Sequence, residues 1–108
     1  MFLLVAQKIL KKGISAMALW PFILVQNKDF KEDLILINHE RIHLRQQIEL
    51  LIIFFYLWYG IEFLIHLIRF KDFNKSYMNI SFEKEAYGKE TDLGYLKRRK
   101  FWAFIKFL

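Results

Sequence analysis

The 19 residues from Leu50 to Ile68, inside LLIIFFYLWYGIEFLIHLIRF (residues 50–70), constrain this chain more than any other stretch. A run of this length approaches the roughly 20 apolar residues that a helix needs to cross a bilayer. It nevertheless carries Glu62 and His66, and a charged group at the bilayer centre costs roughly 2.5–3.5 kcal/mol on insertion scales. Gly60 offers a point at which the run could break into two helices. Three arrangements follow: a buried pair of core helices, one imperfect span, or a helix lying partly in a membrane interface. Glu62 and His66 stand four apart, the spacing of a mutually satisfied helical pair.

What flanks the run narrows the choice. Before it stands HERIH (39–43), which holds two of the chain's three histidines. At about 100° per residue, His39 and His43 share a helix face one turn apart. Two imidazoles on successive turns can reach one zinc ion, and the intervening Glu40 then points at water beside the metal. In that role Glu40 is the general base for peptide-bond hydrolysis by zinc-activated water, passing the proton on to the leaving amine. Gln46 continues the face, followed by Leu50, Phe54 and Leu57. The bland alternative is a solvated helix face with two incidental histidines. Arg41 and Arg45 fall away from the metal side, as the wet face of the same helix.

A third ligand has two possible sources. Glu49 lies ten residues after His39, an offset that resembles the metzincin zinc peptidases, whose arrangement has the chain leave the helix at a glycine three residues after the second histidine. That position is Gln46, and no glycine follows until Gly60; on an unbroken helix Glu49 points away. The other source is SFEKEAY (81–87). Ser81 is a helix N-cap candidate, with Glu83 and Glu85 in the first turn, where carboxylates suit the helix dipole. Glu83, Ala86 and Tyr87 share one face, and a small residue at 86 lets this helix approach the HERIH helix. Glu83 could then reach the metal, and Tyr87 could sit beside a ligand or a developing oxyanion. The alternative is that both glutamates serve only the dipole. A single straight span between the two motifs would hold them about 30 Å apart, so the expected run is a core hairpin or kinked helix that folds back and is partly membrane-facing.

The remaining segments add a frame. Residues 1–12 read as a short amphipathic helix ending at Gly13; the opening MFLLVA is too short and lacks the basic flank of an export signal. ISAMALWPFILV reads as extended, with Pro21 marking an edge strand. Such a strand beside the HERIH helix could pair with an extended peptide substrate, or act only as a hydrophobic clasp. Asn27-Lys28-Asp29 is a turn, and Asp33 is the N-cap of the HERIH helix.

Composition sets limits. At 108 residues the chain reads as a single domain, 1–108. It has no cysteine, which excludes disulfides and thiolate ligands and leaves nitrogen and oxygen donors for any metal. Its hydrophobic fraction is 56% and its net charge +6, a balance that suits an anionic membrane surface. YLKRRKFWAFIKFL (95–108) sets four consecutive basic residues against a run of aromatics, the interfacial pattern. A nucleic-acid strip would interleave its aromatics with charge, so no nucleic-acid partner is expected.

H-E-x-x-H followed some tens of residues later by E-x-x-A on a second helix resembles the gluzincin zinc peptidases. It is most similar to their integral-membrane branch, the CAAX-prenyl-protease/HtpX-like enzymes and the peptidase part of the beta-lactam sensor proteins, and to a group of short bacterial zincin-like proteins. The resemblance covers about residues 36–50 and 81–88. It implies His39, His43 and Glu83 as zinc ligands, Glu40 as general base, a peptide or protein substrate, and a small, mainly α zincin-like domain. That domain would pair an active-site helix with a third-ligand helix and carry a short N-terminal β-hairpin or edge strand. Tyr87 stands where the larger families have Asp. The expected location is the cytoplasmic side, membrane-associated. A non-catalytic membrane-associated interaction protein retaining such a fold is the alternative.

Overall fold

The computed structural model describes residues 2–6, 10 and 13–108. Within them a three-stranded sheet precedes a mainly helical body: β1 (Phe2–Val5), β2 (Ala16–Leu19) and β3 (Phe22–Val25), then α1 (Leu34–Glu49), α2 (Ile53–Phe70), α3 (Phe73–Met78), α4 (Ser81–Lys89) and α5 (Tyr95–Arg98). The strand order is β1-β3-β2, with β1 parallel and β2 antiparallel to β3. Phe2–Val5 is therefore a strand where a helix over 1–12 was expected. Its apolar run pairs residue for residue with Phe22–Val25; residues 7–9, 11 and 12 of the expected helix lie outside the described residues. The stretch read as one edge strand is a hairpin, and Pro21 occupies its turn, where no ladder hydrogen bond is lost.

Asn27 caps a short 3-10 turn (Lys28–Glu32) by accepting from Asp29 N–H. Asp33 then caps α1, accepting from Leu36 N–H, as expected. Helix α1 ends at Glu49 with Leu50 as its C-cap, and the chain reverses through Leu51 and Ile52, both with positive φ (53° and 66°). Thus the break falls at the start of the apolar run rather than at Gly60, and α2 runs unbroken through Gly60. Leu50 is buried, but Phe54 and Leu57 are exposed on α2 rather than continuing the histidine face inward. The fold-back expected of this segment is supplied after it: Lys71, left-handed at φ 56°, ends α2, and α3 returns along it.

Two apolar clusters sandwich α1. Ala18, Ile23 and Val25 of the sheet pack with Leu44. On the other side Leu50, Phe55, Ile80, Phe82 and Phe104 form an aromatic-rich cluster joined by Trp58, Tyr59 and Phe63. Phe82 has its ring centroid 4.6 Å from Phe55 and 4.7 Å from Phe104. Rather than a core helix, α2 is a covering one: only Phe55 of it is buried. It is also the one helix among the described residues long and apolar enough to cross a membrane, by length and composition.

Two further expectations are corrected by packing. Ser81 is the first residue of α4 rather than its N-cap, and Glu62 of α2 does the capping, accepting from Ser81 N–H at 2.9 Å and from Ser81 Oγ. Glu62 also accepts from Trp58 Nε1 at 2.8 Å, while His66 Nε2 stands 3.9 Å away. Its carboxylate is satisfied by α4 and Trp58 more than by His66. Of the four basic residues 97–100, Arg99 turns inward with a fully buried side chain, because Glu49 and Glu85 place two carboxylates in the interior that need a cation.

Candidate metal centre

Helix α1 projects His39 and His43 toward Glu83 of α4 and Glu40 toward Ala18 of β2, and all three are buried. Two amides on α1 fasten the helices together. Asn38 Nδ2 donates to the backbone oxygens of Glu90 (2.8 Å) and Asp92 (3.1 Å), past the C-terminal end of α4. Gln46 Nε2 donates to Phe82 O (3.2 Å) and to Glu85 Oε1 (2.9 Å) near its start. Ala86, fully buried, lies on the stretch between. Glu83 is thereby brought to the histidine pair: its Oε1 is 3.0 Å from His43 Nε2 and 3.3 Å from His39 Nε2. The ligand atoms of His39, His43 and Glu83 lie within 4.8 Å of one another. Arg41 and Arg45 are exposed, as expected, and Glu49 points instead to Arg99 (2.6 Å).

The hydrogen bonds behind the imidazoles determine what faces the centre. Gln46 spends its amide N–H groups on Phe82 and Glu85, so its Oε1, 2.8 Å from His43 Nδ1, must accept. Exchanging the amide atoms would set oxygen against oxygen. His43 Nδ1 therefore carries a proton. The same holds for His39, whose Nδ1 lies 2.9 Å from the Glu90 carboxylate. With both Nδ1 atoms protonated, each neutral imidazole turns a bare Nε2 lone pair toward Glu83 Oε1. Three converging acceptors need a positive charge between them, either a proton or a metal ion. The buried His39–His43–Glu83 group could hold a metal ion; its neutral imidazoles, its carboxylate and the outer hydrogen bonds on both rings fit one.

The titration behaviour of the metal-free site follows. Burial alone would lower His43, but the charge and hydrogen bond of Glu83, aided by Glu40 and Gln46, push it up to about 9. Burial alone would raise Glu83, yet the charge of His43 and hydrogen bonds from His39, His43 and Tyr59 hold its carboxyl well below the usual range. Burial raises Glu40, countered in part by His43, His39 and the Ala18 backbone N–H.

Tyr87 lies at the site but sets no carboxylate beside the His39 ring. Its ring edges His39 (centroids 4.4 Å apart) and its hydroxyl pairs with that of Tyr77 at 3.0 Å. The carboxylate on the His39 ring comes from Glu90. The helical signal for it was present, since positions seven apart share a face and Glu90 follows Glu83 by seven. Tyr59, donating to Glu83 Oε2 at 2.7 Å, left no such signal inside the apolar run. A cleft of about 800 Å³ opens over the centre, walled by Ala16 and Met17 on one side and by Tyr77 and Tyr87 on another. Comparison with family models, curated proteins and solved structures finds no match.

Proposed function

We propose that this protein is a membrane-associated zinc metallopeptidase. The observation that carries the reading is the convergence of two bare imidazole nitrogens and the Glu83 carboxylate, with Glu40 beside them at the floor of an open cleft. Three protein ligands of the N₂O type, with no thiolate, form a donor set suited to catalytic zinc. When bound, zinc supplies Lewis acidity and lowers the pKa of water. Glu40, raised by burial, accepts the proton of the attacking water at its carboxylate and delivers it to the leaving nitrogen. Tyr87 and Tyr77 hold hydroxyls at the cleft wall, where one of them can donate to the developing oxyanion.

Strand β2 favours a peptide as substrate. It is an edge of the sheet and lines the cleft. Its Ala18 carbonyl is already taken by Gln47 Nε2 (2.9 Å). Ser15 bonds to Gln26 and Ala16 faces Val25 across the ladder, so by the antiparallel alternation Ala16 turns its N–H and C=O away from β3. That pair is where an extended chain can add.

The outer face of α2 supports the membrane reading. Ile53, Leu57, Ile61, Leu64, Ile65 and Ile68 are each more than half exposed and fall within about 120° of arc. The net charge of +6 suits an anionic leaflet. The deciding experiment measures zinc content and peptide hydrolysis in the parent and in Glu40→Gln. One zinc per chain in both, with hydrolysis only in the parent, is expected. Protein purified without zinc, and unable to take it up, would sink the proposal; zinc without hydrolysis in the parent would leave a non-catalytic metal-binding protein.

A further inference from the structure

Arg99 lies 56 residues after His43, in the basic run before the C-terminal aromatics, yet a continuous line of hydrogen bonds leads from it to that histidine of the candidate metal centre. Its side chain is completely buried. Nη1 donates to Glu49 Oε2 at 2.6 Å, while Nε and Nη2 both donate to Glu85, Nη2 at 3.0 Å. This is the two-pronged contact that a guanidinium makes and an ammonium cannot. The Glu85 side chain is likewise fully buried, and Tyr95 OH donates to its Oε2 at 2.6 Å. Glu85 Oε1, the oxygen that takes Nη2, also accepts from Gln46 Nε2 at 2.9 Å, and Gln46 Oε1 accepts from His43 Nδ1 at 2.8 Å.

Every link has one possible sense. Arginine has no acceptor, so Glu85 must accept from it. A carboxylate has no proton to give, so Gln46 must present its N–H to Glu85. The amide then has only oxygen to offer His43. Because Arg99 holds Glu85 by two bonds, the Gln46 amide cannot turn over without setting its oxygen against a fixed carboxylate. We infer that Arg99 is a positioning residue for metal binding: acting through Glu85 and Gln46, it holds His43 in the form with Nδ1 protonated and Nε2 bare toward the centre. This rests on the metal-binding reading of the site.

The test is a double-mutant cycle on zinc affinity, read by competition with a chelating dye. Arg99→Met and Gln46→Met are each expected to weaken binding by about 10- to 100-fold, the usual cost of losing an outer partner of a ligand. If Arg99 acts through Gln46, Arg99→Met costs nothing further in the Gln46→Met background. Parent-like affinity in folded Arg99→Met, or losses that multiply in the double variant, would overturn the inference. Should Arg99→Met fail to fold, Arg99→Lys keeps the charge without the fork. An intermediate loss that vanishes in the Gln46→Met background is then expected, and a multiplying loss refutes it. If the parent binds no zinc, the metal reading itself fails, and the chain of bonds is judged in metal-free protein by NMR. A slowly exchanging His43 Nδ1–H signal in the parent, lost in the Arg99 variant, upholds the positioning role; the same signal in both excludes it.

Discussion

His39 Nδ1 lies 2.9 Å from Glu90 Oε1, across the junction between α1 and the end of α4. This contact supplies a carboxylate to the ring from the residue that follows the last turn of α4. Glu90→Leu is expected to reduce metal affinity by about 10- to 100-fold, and Glu90→Gln, which keeps an acceptor, by less. Zinc titrations on the two variants check this, and equal affinities in both would refute it.

Proton and metal compete for the same centre. In the metal-free protein His43 is raised to about 9 from 6.5, so its contribution to stability is complete below pH 6.5 and is lost as pH climbs through 9. Glu83 is lowered from 4.5, so its contribution is complete above pH 4.5 and is lost on acidification. Metal affinity runs the other way. It is expected to rise about tenfold per pH unit up to 9 and then level off, because binding releases the His43 proton. Urea melts and zinc titrations across pH 5–10 measure both slopes, and a pH-independent affinity would contradict the assignment.

Glu62 is the one acidic residue of α2, and its purpose is to cap α4. Glu62→Ala strips Ser81 N–H and Trp58 Nε1 of their acceptor and is expected to cost about 1–3 kcal/mol in urea unfolding. Glu62→Gln, still able to accept, is expected to cost less. Equal costs would mean that the charge on Glu62, rather than its accepting geometry, is what matters.

The apolar face of α2 is expected to carry membrane binding. Leu57→Lys with Leu64→Lys places two charges where both side chains are more than half exposed, so stability should stay within about 0.5 kcal/mol per site. Flotation with vesicles containing anionic lipid should then fall sharply from the parent level. Undiminished flotation would assign the membrane contact elsewhere, or remove it.

Phe82 is fully buried between Phe55 and Phe104, one residue before Glu83. Phe82→Ala is expected to lose about 3–5 kcal/mol, measured by chemical unfolding, and so to loosen the start of α4 that presents Glu83. A loss below about 1 kcal/mol would show that the aromatic cluster can collapse into the space.

Much of the centre was legible because helical phase is local. His39 and His43 on one face, Arg41 and Arg45 on the other, the Asp33 cap and the small Ala86 all follow from about 3.6 residues per turn and short-range capping. Less legible were contacts whose partners lie far along the chain. Ser81 looks like its own cap, yet Glu62 performs the task across 19 positions. Lys97–Lys100 looks like a uniform basic patch, yet Arg99 is drawn inward by Glu49, 50 positions away.

The amino-acid sequence by itself determined the mainly helical body, an extended N-terminal segment before it and the identity of the residues that could hold a metal, since periodicity and turn chemistry act within a few residues. Only the tertiary structure decided that Phe2–Val5 is a strand, because its pairing partner is 20 residues away. It alone decided that α2 covers the body with an apolar face outward, and that Gln46, Glu85 and Arg99 stand behind His43. Buried polar groups must find partners wherever the fold brings them, and a linear reading does not contain those distances.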